Sequence, residues 1–257
     1  MGFVTASAPG KCILFGEHAV VYGHPAVAVA IDQRISVKIQ PSPNHLWLLD
    51  GSSLNLNRNP HIKGLIEKLW PKQYGAPELS IHIEGNIPRA SGLGSSAALS
   101  VATAAALRMA RGRWVSKTDG TRQQYWLEGF GSTIANSEPY DNSPGFFAKE
   151  SQDERYHITG KNSVDNDECA ILAHGVEAAV QQGRASPMDS STCSHGGIII
   201  ISDVIEQGID YLYQRTLAMK DATRQWHIHE MSPPSDSDDV YLVIGNTGVH
   251  APTGKQV

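Results

Sequence analysis

The chain has 257 residues, 40% of them apolar and 18% charged. That composition is globular, neither disordered nor collagenous, and the length suffices to bury a core without disulfides, as one large domain or two small ones. Lys and Arg total 21 against 26 Asp and Glu, a net charge of −5, and no basic stripe gathers the cations, which disfavours capture of nucleic acid or of an anionic membrane. No apolar run approaches the roughly 20 residues of a membrane span, and the opening Met1-Gly-Phe-Val-Thr5 has neither the basic nor the apolar region of a secretory signal. Cys12, Cys169 and Cys193 are odd in number and widely spaced, so they read as reduced thiols, with no disulfide framework or zinc site. The expectation is a soluble, cytoplasmic protein.

In chain order, the first forty residues are rich in Ala, Val and Ile. Ala26–Ile31 and Ile35–Ile39 alternate with period two and predict strands, bounded by turns at Pro9-Gly10, Gly23-His24-Pro25 and Pro41-Ser-Pro43. Between 61 and 70 the apolar positions 62, 65, 66, 69 and 70 follow a helical period. Leu79–Ile83 alternates as a strand, and the Ala-rich run Ser96–Ala110 predicts a helix apolar all round, buried between layers. From 118 to 166 the chain is polar and aperiodic although it holds several aromatics, which reads as an inserted, partly disordered excursion. A helix is predicted from Asp167 to about Gln182, a buried strand at Ile198–Ile201, a helix over Ile205–Met219 and a strand at Tyr241–Ile244. The mixture indicates an α+β fold rather than strict βαβ alternation.

Three segments concentrate chemistry. The first is Ile87-Pro-Arg-Ala-Ser-Gly-Leu-Gly-Ser-Ser-Ala-Ala98, a glycine turn between a strand and a helix. Free N–H groups and the helix dipole there suit a phosphate, and a serine hydroxyl at that point can ligate Mg²⁺; an ordinary glycine turn capped by Ser95 is the alternative. It is not a GxxxxGK[ST] loop, a GxGxxG fingerprint or part of a protein-kinase HRD and DFG set. The second, Ala8 to Gly23, sets Lys11, Glu17 and His18 in an apolar strand–turn region, where buried polar groups must find partners. It reads either as a ligand site or as a structural Lys11–Glu17 pair with a satisfied core histidine. In the third, Ala185–Gly197, Asp189 stands among hydroxyl residues just before an apolar strand, placed either to take a substrate hydroxyl proton or simply as a turn residue after proline. His227-Ile-His-Glu230 has metal-ligand residue types at i, i+2 without a partner motif and reads as a solvated segment. Asp236–Asp239 lacks the glycine and distal glutamate of a calcium loop.

Together and in this order, the three segments resemble the GHMP small-molecule kinases, and most of all their archaeal mevalonate kinase branch. Gly16-Glu-His-Ala-Val-Val-Tyr-Gly23, Pro88–Ala98, Val176-Glu177 through Gly183-Arg-Ala-Ser-Pro-Met-Asp189 to Gly196-Gly197, and Thr247–Thr253 carry the likeness. The resemblance implies an α+β GHMP kinase fold with a ribosomal-S5-like N-terminal half (1–200) and a ferredoxin-like C-terminal half, of which 201–257 would be the start. It implies ATP-dependent phosphorylation of the C5 hydroxyl of (R)-mevalonate, with ATP and mevalonate as partners, Mg²⁺ as cofactor and a homodimer by family analogy. Carried over by position, Asp189 and Lys11 would be catalytic, and Glu17, His18 and Thr253 would line the substrate. Pro88, Ala90, Ser91, Gly92, Leu93, Gly94, Ser95, Ser96 and Ala97 would cradle ATP, and Ser96 and Glu177 would ligate Mg²⁺.

Three departures from the family pattern accompany the likeness. Glu177 stands one residue further from Asp189 than is usual, through Gln181-Gln182. The 118–166 stretch has no counterpart in compact archaeal relatives. The sequence stops at Val257, where the family continues with another glycine-rich motif, so the expectation is a C-terminally truncated member. The competing expectations are a GHMP kinase for phosphomevalonate, homoserine or a sugar, and a truncated homologue that binds ligand without turnover.

Overall fold

The computed structural model describes residues 3–17, 19–22, 24–70, 77–88, 90–111, 113–116, 121–125, 137–139, 165–183, 185–218, 223–233, 236 and 241–245. Its frame is an eight-stranded sheet built around one long strand. Strand β1 (Val4–Phe15) lies antiparallel along one edge of β2 (Ala26–Pro41). The other edge of β2 is shared end to end: β9 (Ile198–Ser202) pairs with residues 26–29 and β5 (Leu79–Gly85) with residues 35–41. A small hairpin, β3 (Leu48–Leu49) and β4 (Ser52–Ser53), extends the β5 side through a parallel β3–β5 pairing. On the opposite side β11 (Thr223–Met231) adds to β9, and β10 (Asp210–Ala218) closes the sheet. Among the described residues four α-helices cover it: α1 (Pro60–Leu69), α2 (Ser95–Arg111), α3 (Asn166–Val180) and α4 (Met188–His195). Strands β6 (Arg113–Ser116), β7 (Thr121–Tyr125) and β8 (Ser137–Pro139) form a separate antiparallel sheet, so part of the 113–139 stretch pairs as strands; the rest of the predicted excursion lies outside the described residues.

The predicted helix at 61–70, the strand at 79–83, the helix at 96–110, the helix from 167 and the strand at 198–201 all form. Helix α2 is buried nearly all round, from Ala97 through Ala110, with Ser100, Thr103 and Arg108 enclosed along with its alanines. A helix of small side chains lets its neighbours approach closely, and here it packs against the sheet together with Ile39, Leu65, Leu79, Ile81 and Val176 in the larger of two apolar clusters. The smaller cluster, around Met188, Ile199, Ile201, Trp226 and Ile228, lies under the β9–β10–β11 end.

Five expectations are corrected. Pro9-Gly10 is no turn: β1 runs through it, with a register shift against β2 between Pro9↔Arg34 and Lys11↔Ala30. Ala26–Ile31 and Ile35–Ile39 are likewise one strand, joined across that irregularity. Within 205–219 the chain forms strand β10 instead of a helix. A bulge at Tyr211/Tyr213 explains why the period was hidden: Tyr211 faces His229 and Tyr213 faces Ile228, so the apolar alternation changes phase mid-strand. His227 and His229 are buried, not solvated, because β11 is flanked by β10 and β9. His229 Nε2 accepts from the Glu206 N–H at 3.1 Å, and among the described residues no three His, Cys, Asp or Glu side chains are grouped to hold a metal. Finally, Tyr241–Ile244 forms no ladder among the described residues and is exposed, Val243 to 91%. High β-propensity alone does not make a strand without a partner edge. No described helix is long and apolar enough to cross a membrane.

Helix α3 ends in a tight turn at Gln181-Gln182. Gly183 N–H reaches back to Ala178 O at 2.7 Å while Gln182 adopts φ 57°, a Schellman ending with glutamine at the left-handed position. Left-handed backbone costs a residue with a Cβ about 1–2 kcal/mol. Gln182→Gly is therefore expected to stabilise the chain by about 0.5–1 kcal/mol, after subtracting glycine's extra unfolded-state entropy. The denaturation midpoint measures this, and an unchanged or lower midpoint would contradict it.

Candidate active site

Lys11 is the centre of the site. It lies mid-strand in β1 and is only 3% exposed, a position where an ammonium is costly unless paired. Its Nζ is 3.1 Å from Asp189 Oδ1, on the first turn of α4. The structural Lys11–Glu17 alternative is thereby replaced: Glu17 is exposed in the turn after β1, and no hydrogen bond or ion pair among the described residues ties it to Lys11. Helix α4 was not anticipated from the sequence. Its Ser-Ser-Thr run has weak intrinsic helicity, but Pro187 precedes it and Asp189 sits in its first turn where the helix dipole favours a carboxylate. Those two residues were the signal that could have found it.

The glycine–serine loop is fastened to the same strand. Lys11 N–H donates to Leu93 O at 3.0 Å, beside the register shift between Pro9 and Lys11. Two glycines make this approach sterically feasible. A Cβ on Gly10 would sit 2.8 Å from Leu93 O, and one on Gly94 would sit 2.8 Å from Lys11 Cγ. Gly94 also has φ 71°, and Ala90 and Gly92 are left-handed as well. Ser91 Oγ closes the turn on Pro88 O at 2.7 Å. Gly92, in contrast, faces open space. The loop thus has a packed side toward Lys11 and Cys193 and an open side at Gly92.

Helix α2 begins at Ser95, directly after the loop, and its first closed turn is Ala98 N–H to Gly94 O at 2.8 Å. The amides of Ser95, Ser96 and Ala97 precede it, so they carry the unpaired N–H groups and positive dipole end of the helix. Ser96 is exposed and Ser95 half-buried. Ser95 thus opens the helix as a helical residue, and the capping position falls to Gly94. An anion-receptive terminus therefore stands next to a buried ammonium.

Glu177 completes the cluster. On α3, it is 6% exposed, and Gln181 Nε2 donates to its Oε1 at 3.1 Å. Burial, and then the neighbouring Asp189 carboxylate, push its pKa up to about 8, against the opposing pull of Lys11. Two carboxylates around one ammonium leave a surplus negative charge that one of them sheds by keeping a proton. The Cys193 thiol, in the same field and enclosed against Gly94, is pushed well above its ordinary value. Lys11, Asp189, Glu177, Leu93 and Gly94 are therefore brought together, and Ser96 stands on the open face of the loop's helix. His18 and Thr253 lie outside the described residues.

What the fold and site define is an α+β domain with an anion-receptive glycine–serine loop set against a buried lysine paired with a half-buried aspartate. Residues 60–137 match the family described as GHMP kinases N terminal domain. The mevalonate kinase of Methanothermobacter thermautotrophicus is 34% identical over 200 residues, 77% of this chain and 50% of that protein. That of Archaeoglobus fulgidus is 48% identical over 104 residues, 40% of this chain and 36% of that protein. The crystal structure of Methanococcus jannaschii mevalonate kinase superposes with a TM-score of 0.49 at 26% identity, covering 79% of this chain and 54% of that one. Residues 60–137 are thus a GHMP kinase N-terminal domain, and the chain spans about half the length of the curated relatives it matches or less.

The raised pKa of Glu177 has a stability consequence in the metal-free chain. Between the ordinary glutamate value of 4.5 and about 8 the folded state retains a proton that the unfolded chain has released. Stability from this group is complete below 4.5 and is lost as pH rises through about 8. Urea denaturation at pH 5, 6.5 and 8 is expected to show that decline in the parent chain and a flatter profile in Glu177→Gln; parallel profiles would refute the assignment.

Proposed function

We propose that this chain acts as an ATP-dependent kinase that phosphorylates the C5 hydroxyl of (R)-mevalonate, giving 5-phosphomevalonate and ADP in isoprenoid precursor biosynthesis. The observation that carries the reading is the Lys11–Asp189 pair at 3.1 Å, fastened through Lys11 N–H to Leu93 of the glycine–serine loop. A buried ammonium paired with a half-buried carboxylate, beside a helix N-terminus free to take phosphate, suits transfer of a phosphoryl group to an alcohol. Positioning and charge neutralisation supply most of the catalysis in such a reaction. The curated relatives that the chain matches bear the name mevalonate kinase.

In this reading the substrate hydroxyl oxygen attacks the γ-phosphorus, its proton passes to Asp189, and ADP leaves. Lys11 holds the same oxygen and favours its ionised form, while Glu17, His18 and Thr253 line the mevalonate pocket. Pro88 and Ala90–Ala97 cradle the ATP phosphates, chiefly through backbone N–H groups. The donor set fits Mg²⁺: a buried carboxyl that keeps its proton for want of a second cation, and a serine hydroxyl, are hard oxygen ligands of the kind that ion takes alongside phosphate. Glu177 and Ser96 would hold it, and the ion would neutralise the phosphate oxygens. The proposal extends to a cytoplasmic location, to a homodimer, and to a site carried by the N-terminal part (1–200), with 201–257 opening a second part.

ADP release by the purified chain with ATP, Mg²⁺ and mevalonate is the direct test, with galactose and homoserine as control alcohols. Mevalonate-dependent release is expected, and Asp189→Asn should lower it by about 10²–10⁴-fold, the usual range for a lost general base. Unchanged turnover in Asp189→Asn removes that residue from its role, and turnover only with another alcohol replaces the substrate.

A further inference from the structure

Asp189 is carried by a helix that cannot hold itself in place. Helix α4 has eight residues and starts at Pro187 without a side-chain cap, and isolated helices of that length are unstable in water. Something outside it must set where it begins. The structure shows a clasp that does so, built from β10 and α3.

Its hub is His174, fully buried on α3 one turn before Glu177. The His174 Nε2 lies 3.0 Å from Ala185 O. A carbonyl only accepts, so Nε2 carries the proton and donates. The other ring nitrogen, Nδ1, accepts from Arg215 Nε at 2.8 Å. Both nitrogens are used and the ring is neutral in one tautomer; burial pushes its pKa down to about 4, in keeping with that state. The Trp226 ring meets it edge-on at 5.9 Å between centroids, which fixes its plane.

Arg215 belongs to β10, and its neighbour on the same face, Tyr213, reaches α4 directly: Tyr213 Oη and Ser191 Oγ are 2.8 Å apart. Ser191 Oγ in turn donates to Pro187 O at 2.6 Å. Two adjacent side chains of one strand therefore grip the start of α4 on both sides, one at Ser191 within the helix and one through His174 at Ala185, two residues before Pro187.

We propose that His174 is a positioning residue for Asp189: clamped by Arg215, it pins the Ala185 carbonyl and so fixes where α4 starts and where its carboxylate meets Lys11. Helix α3, which carries His174, also carries Glu177, so one ring ties the two carboxylates to a common frame. The kinetic consequence rests on the phosphotransfer reading given above; the structural consequence does not.

The test compares His174→Leu, which loses both hydrogen bonds, with His174→Gln, whose amide N–H can donate to Ala185 O while its oxygen accepts from Arg215. Hydrogen exchange of α4 amides, with those of α2 as internal reference, reads the clasp without any turnover. In His174→Leu the α4 amides should exchange about tenfold faster or more relative to α2, and in His174→Gln they should return close to the parent rate. With ATP and mevalonate, kcat should fall by about 10²-fold in His174→Leu at nearly unchanged KM for ATP, since a misplaced group costs rate rather than binding, and recover in His174→Gln. Arg215→Met, at a half-buried position, removes one bond only and gives the same comparison independently of how the leucine variant folds. Unchanged α4 exchange in both His174→Leu and Arg215→Met overturns the proposal, as does an equal acceleration across α2 and α4. Should the parent chain phosphorylate none of the alcohols, the kinase reading falls, and the exchange comparison alone decides the role of His174.

Discussion

A single buried ammonium organises this molecule. Lys11 sits in the middle of β1, almost out of reach of water, and a charge there is tolerated only with a partner of opposite sign and saturated hydrogen bonding. Asp189 supplies the charge from α4, which obliges that short helix to dock against the strand. The Leu93 carbonyl takes the Lys11 N–H, which obliges the glycine–serine loop to lie against the same residue. Strand, helix and loop are thus tied at one point, and each tie would be lost if the lysine moved toward solvent. Removing Asp189 would leave the ammonium buried and uncompensated, the costly way to break such a pair, whereas Asp189 without Lys11 would still reach solvent.

The second carboxylate makes the cluster electrically unbalanced. Glu177 is too enclosed, and too close to Asp189, to ionise easily beside one ammonium. As a structural arrangement this is poor economy, since a glutamine would satisfy Gln181 as well without the charge. It is reasonable for a place where a cation and a polyphosphate are to meet, because a bound cation would remove the surplus charge. The open side of the loop at Gly92 and the exposed Ser96 lie on the solvent side of the same arrangement, while its packed side at Gly94 stays against Lys11.

Much of the sheet and three of the four helices were legible in the sequence because their cues are local. Ile62, Leu65, Ile66 and Leu69 repeat at helical spacing and all end buried, and Ile198–Ile201 is too apolar to be anything but an interior element. What misled were places where neighbours outweigh local preference. The bulge at Tyr211/Tyr213 shifts the alternation of β10 and conceals it. His227 and His229 look solvated by type, yet β9 and β10 on either side enclose them. Tyr241–Ile244 has strand-forming side chains but, among the described residues, no edge to pair with. The clasp through His174, Arg215 and Tyr213 left no trace, since nothing about an isolated histidine predicts which carbonyl it will reach.

By itself, then, the sequence determined the α+β class, the glycine–serine turn ahead of α2, and the identity of Lys11 and Asp189 as residues whose chemistry demands an explanation. Those follow from residue type and short-range spacing, which act within a few positions of the chain. Only the tertiary structure decided that Lys11 pairs with Asp189 and leaves Glu17 exposed, and that Glu177 shares their field despite its extra residue of separation. The reason is physical. The cost of burying a charge depends on what lies within a few ångströms in space, and the register shift at Gly10, the turn at Gln182-Gly183 and the clasp on α4 set those distances. No local pattern encodes them.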